Sequence, residues 1–169
     1  MTKTLIAYFS HTGENYFGGN IRAIEKGNTA VVAEKIQALT GGELFEIKTH
    51  DYPYVYRECT DLAQVEKQQK ARPELRAWPQ NLEDVETIIL GYPNWWGDMP
   101  MAVYTFLEGV DLSGKTIYPY CTHEGSGLSQ TVSTLRRLLP QAIVKEGLAI
   151  QGSRVQQDDR VLAEWLKNI

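Results

Sequence analysis

A doubly wound α/β fold around one parallel sheet is predicted for this chain, and three observations predict it. Short continuous apolar runs suit strands buried on both faces. Stripes of 3.6-residue period stand between those runs, where crossover helices belong. The runs close on loops rich in glycine, hydroxyls or aromatics. With 169 residues, the chain has the length of one domain over 1–169 with a core of its own.

Leu5-Ile6-Ala7-Tyr8-Phe9 is the first strand, closed by Ser10-His11-Thr12-Gly13. A helix is predicted from about Thr29 to Thr40, with Val32, Ile36 and Leu39 on one face and Gly41-Gly42 as its stop. Leu44 to Ile47 is the second strand. The polar stretch from Tyr52 to Pro79 holds a helix from about Cys59 to Ala71. Thr87 to Tyr92 is the central strand. Pro100 opens the next helix, whose stripe is Val103, Phe106, Leu107 and Val110. Lys115 to Tyr120 is the fourth strand. Leu128, Val132, Leu135 and Leu139 mark a helix stopped by Pro140. Val144 to Ile150 is the fifth strand. Asp158 or Asp159 caps a last helix that buries Val161, Leu162, Trp165 and Leu166. Five strands alternating with helices imply right-handed crossovers.

Composition excludes several classes of function. Hydrophobic residues at 43% and charged residues at 22% describe an ordinary globular chain. A formal net charge of -4 leaves no basic excess for a phosphate backbone, so no nucleic-acid partner is expected. Cys59 and Cys121 are far apart and form no C-x-x-C pair, which argues against a disulfide scaffold or a cysteine zinc site. No apolar run approaches the roughly 20 residues that span a bilayer. The start carries no secretory pattern, so a soluble cytoplasmic protein without a membrane partner is the expectation.

Ligands of open α/β sheets bind outside the carboxyl ends of the strands, where strand order reverses. Three segments occupy that rim. Ser10-His11-Thr12-Gly13, with Asn28-Thr29 at the first helix, offers hydroxyls and backbone N–H groups that suit a phosphate. The plainer alternative is that Ser10 and Thr12 cap a turn and Asn28 caps the helix. Pro93-Asn94-Trp95-Trp96-Gly97-Asp98 places two adjacent tryptophans after a strand, where they can stack on a flat ring. The alternative is that one of them packs on the following helix. Thr122-His123-Glu124-Gly125-Ser126-Gly127 permits close backbone approach, or is a turn into the next helix capped by Ser126 or Ser129. His11 and His123 can donate a hydrogen bond or shuttle a proton, or can be surface histidines.

Two other patterns carry no chemistry. Gly109 to Thr116 matches G-x-x-x-x-G-K-[ST], but a helix precedes it and a strand follows, the reverse of what a phosphate cradle needs. Leu128 stands where a G-x-S-x-G elbow around Ser126 requires glycine.

These three loops, in this order, resemble those of the flavodoxin family, in particular its members with a Trp-Trp-Gly loop. The likeness runs over essentially the whole chain. The family's phosphate loop, Ser/Thr-x-Thr-Gly-Asn-Thr, is matched in its first half by Ser10 to Gly13 and in its second by Asn28-Thr29. The resemblance implies a flavodoxin-like three-layer sandwich of strand order 2-1-3-4-5 with helices on both faces. It implies an FMN site with the phosphate on Ser10, Thr12 and the amides near Asn28 and Thr29. The flavin ring would lie between Pro93, Asn94, Trp95, Trp96 and Gly97 on one side and Thr122, His123, Glu124, Gly125, Ser126 and Gly127 on the other, with His11 and Gly13 completing the set. Gly97 or a neighbour would present a backbone group to the ring.

The fourteen residues from Glu14 to Gly27 depart from the family's loop. They hold Tyr16, Phe17, Ile21 and Ile24, too apolar for a free linker, and are expected to fold over the phosphate or the flavin. Lys26 either reaches the phosphate or stays solvated. The function implied is an FMN protein carrying electrons between protein partners. The alternatives are an FMN-dependent NAD(P)H reductase acting on quinones or similar acceptors, and a flavin-free interaction module on the same fold.

Overall fold

The computed structural model describes residues 3–169. Strand β1 (Lys3–Tyr8) is followed by an antiparallel hairpin of β2 (Gly13–Phe17) and β3 (Asn20–Ile24), separate from the main sheet. Then come α1 (Asn28–Thr40), β4 (Glu43–Glu46), α2 (Tyr56–Gln68) and β5 (Val85–Pro93). The chain continues with α3 (Met101–Gly109), β6 (Thr116–His123), α4 (Thr131–Leu138), β7 (Ile143–Val144), β8 (Leu148–Gln151) and α5 (Asp159–Leu166).

The sheet runs β4-β1-β5-β6-β7, with β8 also paired to β6, and every pair in it is parallel. Counted by sheet strand this is the order 2-1-3-4-5, with two short strands sharing the fifth place. Between them the Lys145 N–H still donates to the Ile117 carbonyl, and the ladder lapses before Leu148 at Gly147, where a Cβ would lie 3.0 Å from the Leu128 and Val132 side chains.

Alternation along the strands divides the core into two layers. Leu5, Ala7, Ile88, Leu90, Tyr92, Ile117 and Cys121 face α3 and α4, with Phe106 and Leu135 buried among them. Ile6, Tyr8, Ile89, Tyr118 and Tyr120 face α1 and α5, against Val32, Ile36 and Leu162. Strands buried on both faces explain why their sequences read as unbroken apolar runs.

Several expected details move. Leu39 is 59% exposed, because it sits at the margin of the α1 stripe in the last turn before the left-handed Gly41. Val161 is 47% exposed, since the buried side of α5 is Leu162 with Trp165 and Leu166 behind it. Helix α2 begins and ends about one turn earlier than its polarity indicated. Strand β6 runs on through His123, so Thr122 and His123 are strand residues rather than loop. Asp158 precedes α5 without a side-chain cap, its carboxylate paired instead with Arg154 at 3.1 Å.

Two features of this packing set the site. The fully buried Tyr120 hydroxyl donates to the Thr29 carbonyl at 2.9 Å and ties the start of α1 to the sheet. Gly91 allows that crossing, because a Cβ there would lie 2.1 Å from the Tyr120 ring. The lysine of the Gly109–Thr116 pattern is at the other end of the sheet, where Lys115 Nζ donates to the Leu82 and Val85 carbonyls. Among the described residues, no helix is long and apolar enough to cross a membrane.

Candidate functional site

The carboxyl ends of β1, β5, β6 and β8 open into one cleft of about 480 Å3. The start of α1 stands at one end of it. Asn28 and Thr29 are the first helical residues, and both line the cleft. Ser10 Oγ accepts the Ala30 N–H at 3.1 Å, capping α1 from the preceding strand end. The N–H groups of Asn28 and Thr29 have no acceptor among the described residues. A helix N-terminus with free N–H groups and no acidic residue in its first turn carries a partial positive charge. Gly27 makes the approach possible, since a Cβ there would stand 2.1 Å from Ser10 Oγ and 2.7 Å from the His11 carbonyl oxygen. Thr29 and Thr122 share a buried hydroxyl–hydroxyl bond of 2.8 Å across the cleft floor.

The tryptophan loop is a tight turn. Trp95 and Asp98 exchange backbone hydrogen bonds of 2.8 and 3.1 Å, and the two residues between them, Trp96 and Gly97, have φ of 57° and 73°. Positive φ at both central positions is the type I′ pattern, which a tryptophan rarely adopts. The surroundings hold it there. The Trp96 indole N–H donates to the Thr60 carbonyl at 2.8 Å, and Lys67 Nζ donates to the Trp96 carbonyl. Trp96 therefore leans on α2 rather than on the helix that follows, with its ring half exposed at the cleft mouth. Trp95 turns inward and meets Phe9, His11 and Tyr52 edge-on at 5.1, 5.9 and 5.0 Å.

Asn94 braces two loops. Its amide donates to the Gly127 carbonyl and Ser129 Oγ, while its carbonyl accepts the Gly97 N–H at 2.9 Å. Gly97 and Gly127 thus serve the shape of the rim without lining it. Beyond β6, Glu124 is a hub: Oε1 accepts the Ser153 N–H at 2.7 Å, and Oε2 accepts from Gln151 and from Gly18 at the hairpin tip.

Of the residues singled out in the sequence, the cleft gathers His11, Asn28, Thr29, Pro93, Asn94, Trp95, Trp96, Thr122, His123, Glu124 and Ser126. Ser10, Thr12, Gly13, Gly97, Gly125 and Gly127 lie outside its lining. Ser10 is occupied as a cap, Thr12 is exposed, and Gly13 begins β2 against Tyr54. Two further walls close the cleft, and of these only the insert after Gly13 was expected to fold there. The hairpin brings Glu14, Asn15 and Tyr16, and α2 brings Tyr56, Cys59, Thr60 and Ala63. Cys59 and Ala63 are four apart on one helix face, a small-residue signal that was present in the sequence. Lys26 does not reach the cleft and pairs with Glu34 at 2.6 Å.

No lysine or arginine lines the cleft, whereas the carboxylates of Glu14 and Glu124 do. Burial pushes the pKa of His11 and of His123 below the ordinary 6.5, so both are neutral at pH 7. His123 Nδ1 accepts the Gly125 N–H at 2.9 Å, which leaves the proton on Nε2. The stability that depends on neutral His11 is fully present above pH 6.5 and is lost as pH falls through its lowered folded value. His11→Asn should therefore narrow the gap in melting temperature between pH 7 and pH 5. Thermal melts at the two pH values check this, and an unchanged gap refutes it.

A sequence model of the flavodoxin family matches residues 3–169. No curated protein matches the chain. A candidate flavoprotein from Bacteroides eggerthii DSM 20697 is 30% identical with a TM-score of 0.80, over 100% of this chain and 98% of the other. One from Bacteroides uniformis ATCC 8492 is 27% identical with a TM-score of 0.79, over 98% of both chains. A flavoprotein from Lactobacillus acidophilus NCFM, solved in complex with FMN, is 24% identical with a TM-score of 0.68, over 93% and 98%. Sheet order, rim loops and a family match from the first described residue to the last agree: this chain belongs to the flavodoxin family.

Proposed function

We propose that the cleft binds FMN and that the protein carries electrons between protein partners. The observation that carries this reading is the start of α1. There two N–H groups without acceptors, the Gly27 approach and the nearby hydroxyls form an anion seat that needs no cation. This donor set fits a phosphate ester, and the aromatic and loop walls beside it fit a flat ring. The FMN held by the Lactobacillus acidophilus neighbour supports the choice of ligand.

When bound, FMN supplies one- and two-electron redox chemistry. Asn28 and Thr29 would hold its phosphate through their N–H groups. Trp95, backed by Phe9 and Tyr52, excludes water from the inner wall. Glu14 and Glu124, with no cation opposite, raise the cost of added negative charge and so favour a low potential. Tyr16 and Trp96, half exposed at the mouth, leave an edge that a partner protein can approach. A cytoplasmic location belongs to the same reading, since Cys59 and Cys121 are both free and buried.

One observation favours the reductase alternative. The Tyr16 and Tyr56 rings, 6.3 Å apart, face the same cleft and can stack a second ring. Titration of ligand-free protein with FMN, read by tryptophan fluorescence, should saturate at one equivalent with a Kd of about 1 μM or tighter. No saturation would leave the flavin-free module as the reading. Stopped-flow mixing of the loaded protein with NADH and NADPH then separates carrier from reductase, with rapid flavin bleaching by either favouring the reductase.

A further inference from the structure

Among the described residues, three buried side-chain polar atoms have no hydrogen-bond partner: His11 Nε2, Tyr52 Oη and Glu66 Oε1. Buried polar atoms in folded proteins are nearly always paired, with protein or with ordered water. Here the three exceptions are not scattered. They cluster around Tyr52, between His50 at the surface and His11 at the cleft.

His50 is the outer end, with a side chain 43% exposed, and its Nε2 is 3.2 Å from Glu66 Oε2. Glu66, on α2, is only 8% exposed. Burial, and then the Glu66 carboxylate beside its hydroxyl, push the Tyr52 pKa far up, although the two oxygens are not aligned in a hydrogen bond. The Tyr52 ring meets His50 at 4.4 Å and stands edge-on to His11 at 6.5 Å. His11 lines the cleft. Phe9 and Trp95 pack on Tyr52 edge-on at 5.7 and 5.0 Å, so apolar rings sheathe the centre of the cluster. Cys59, also beside Tyr52 and Glu66, has its thiol pushed up to about 11 by burial and by the Glu66 charge, and stays protonated.

We propose that His50, Glu66 and Tyr52 form a proton path from solvent to His11 at the cleft, with buried water supplying the partners that the orphaned atoms lack. The proposal rests on the FMN reading, because only a redox centre gives the cleft a need for protons. With two carboxylates and no cation in the lining, an electron added there deepens an uncompensated negative charge. A proton that follows the electron cancels it. In each passage the neutral His11 ring gives the proton on one nitrogen to a basic atom of the reduced group in the cleft as its other nitrogen takes one from the Tyr52 hydroxyl through water, so that no imidazolate forms. In the same concerted shift Tyr52 regains a proton from the His50 ring by way of the Glu66 carboxylate, and His50 regains one from solvent. Only N–H and O–H bonds are made and broken, and the accompanying electron comes from the donor, a reduced electron-carrier protein.

Two measurements test it. In the FMN-loaded protein, reduction by a one-electron viologen is followed in stopped flow with a pH-indicator dye. Tyr52→Phe and Glu66→Gln should each slow proton uptake by about tenfold or more, so that the dye signal comes to lag behind flavin bleaching in the same trace. A path delays the proton relative to the electron, whereas a merely structural role would slow both together and weaken FMN binding. Uptake at the original rate in both variants would mean that protons enter by the cleft mouth, and the path would be overturned. In the ligand-free protein, water–protein cross-relaxation in NMR should reveal a long-lived water at the Tyr52 ring that Tyr52→Phe removes. Its absence overturns the path whether or not FMN binds, while failure of the FMN titration alone strikes at the functional reading.

Discussion

Phe106→Ala is expected to lower the unfolding free energy by about 3–5 kcal/mol. The ring is fully buried on α3, inside the layer that holds Leu5, Ile88, Leu90 and Ile117. It stacks on Phe45 of the edge strand β4 at 5.9 Å and 27°, so its loss opens a cavity that joins the α3 layer to the sheet edge. Surrounding side chains come from regular strands and cannot collapse into the space without breaking the ladder, which places the cost in the upper part of the range. For a chain of this length the melting temperature should fall by roughly 6–20 °C. Phe106 does not line the cleft, so the folded variant should still take up FMN at low temperature. Urea melts check the first expectation. A single transition with an unchanged slope is also expected if residues 1–169 form one cooperative domain. A loss under about 1 kcal/mol would show that the α3 layer is loosely packed.

Gly27→Ala should weaken FMN binding by about ten- to a hundredfold, with a stability loss of about 1–3 kcal/mol. The backbone at Gly27 is extended and suits any residue, so the effect is steric. A methyl group would meet Ser10 Oγ at 2.1 Å, the His11 carbonyl at 2.7 Å and the His11 nitrogen at 3.0 Å. Ser10 can rotate away, but that breaks the cap on the Ala30 N–H. The two His11 contacts are backbone and cannot rotate. The start of α1 must therefore move off the end of β1, against the Tyr120 bond that ties Thr29 to the sheet. Its free N–H groups then leave the place where the rim loops converge. Fluorescence titration of the ligand-free variant reads the loss. Affinity equal to that of the parent would show that the phosphate is not held at α1.

Both experiments bear on parts of the molecule that were unequally legible beforehand. The central strands could be read because residues such as Ile88-Ile89-Leu90 are buried on both faces, which leaves an unbroken apolar run. The rim loops could be read because glycine, proline and tryptophan cluster where those runs end. Less visible was α2, whose buried face consists of Cys59, Ala63 and Glu66, a stripe with little hydrophobic signal. It becomes a wall of the cleft through bonds to a distant loop, from Trp96 to Thr60 and from Lys67 to Trp96. The residues from Glu14 onward read as an apolar insert, and their hairpin form depends on anchors elsewhere: Glu14 on Tyr54 and Tyr56, and Gly18 on Glu124. Ser10 was legible as a polar residue at the rim. Whether it faced a ligand or capped a helix depended on Gly27, seventeen positions along the chain.

By itself the sequence determined the alternation of strands and helices, the parallel sheet and the three segments at its carboxyl rim. Periodicity and turn chemistry are local properties, and adjacent residues are enough to express them. Tertiary structure alone decided that β6 carries Thr122 inward, that Trp95 is packed while Trp96 stands at the mouth, and that Glu66 of α2 and His11 come together around Tyr52. Each of these is a contact between residues far apart in the chain. Such contacts are set by how layers meet across the sheet, and no window along the sequence contains them.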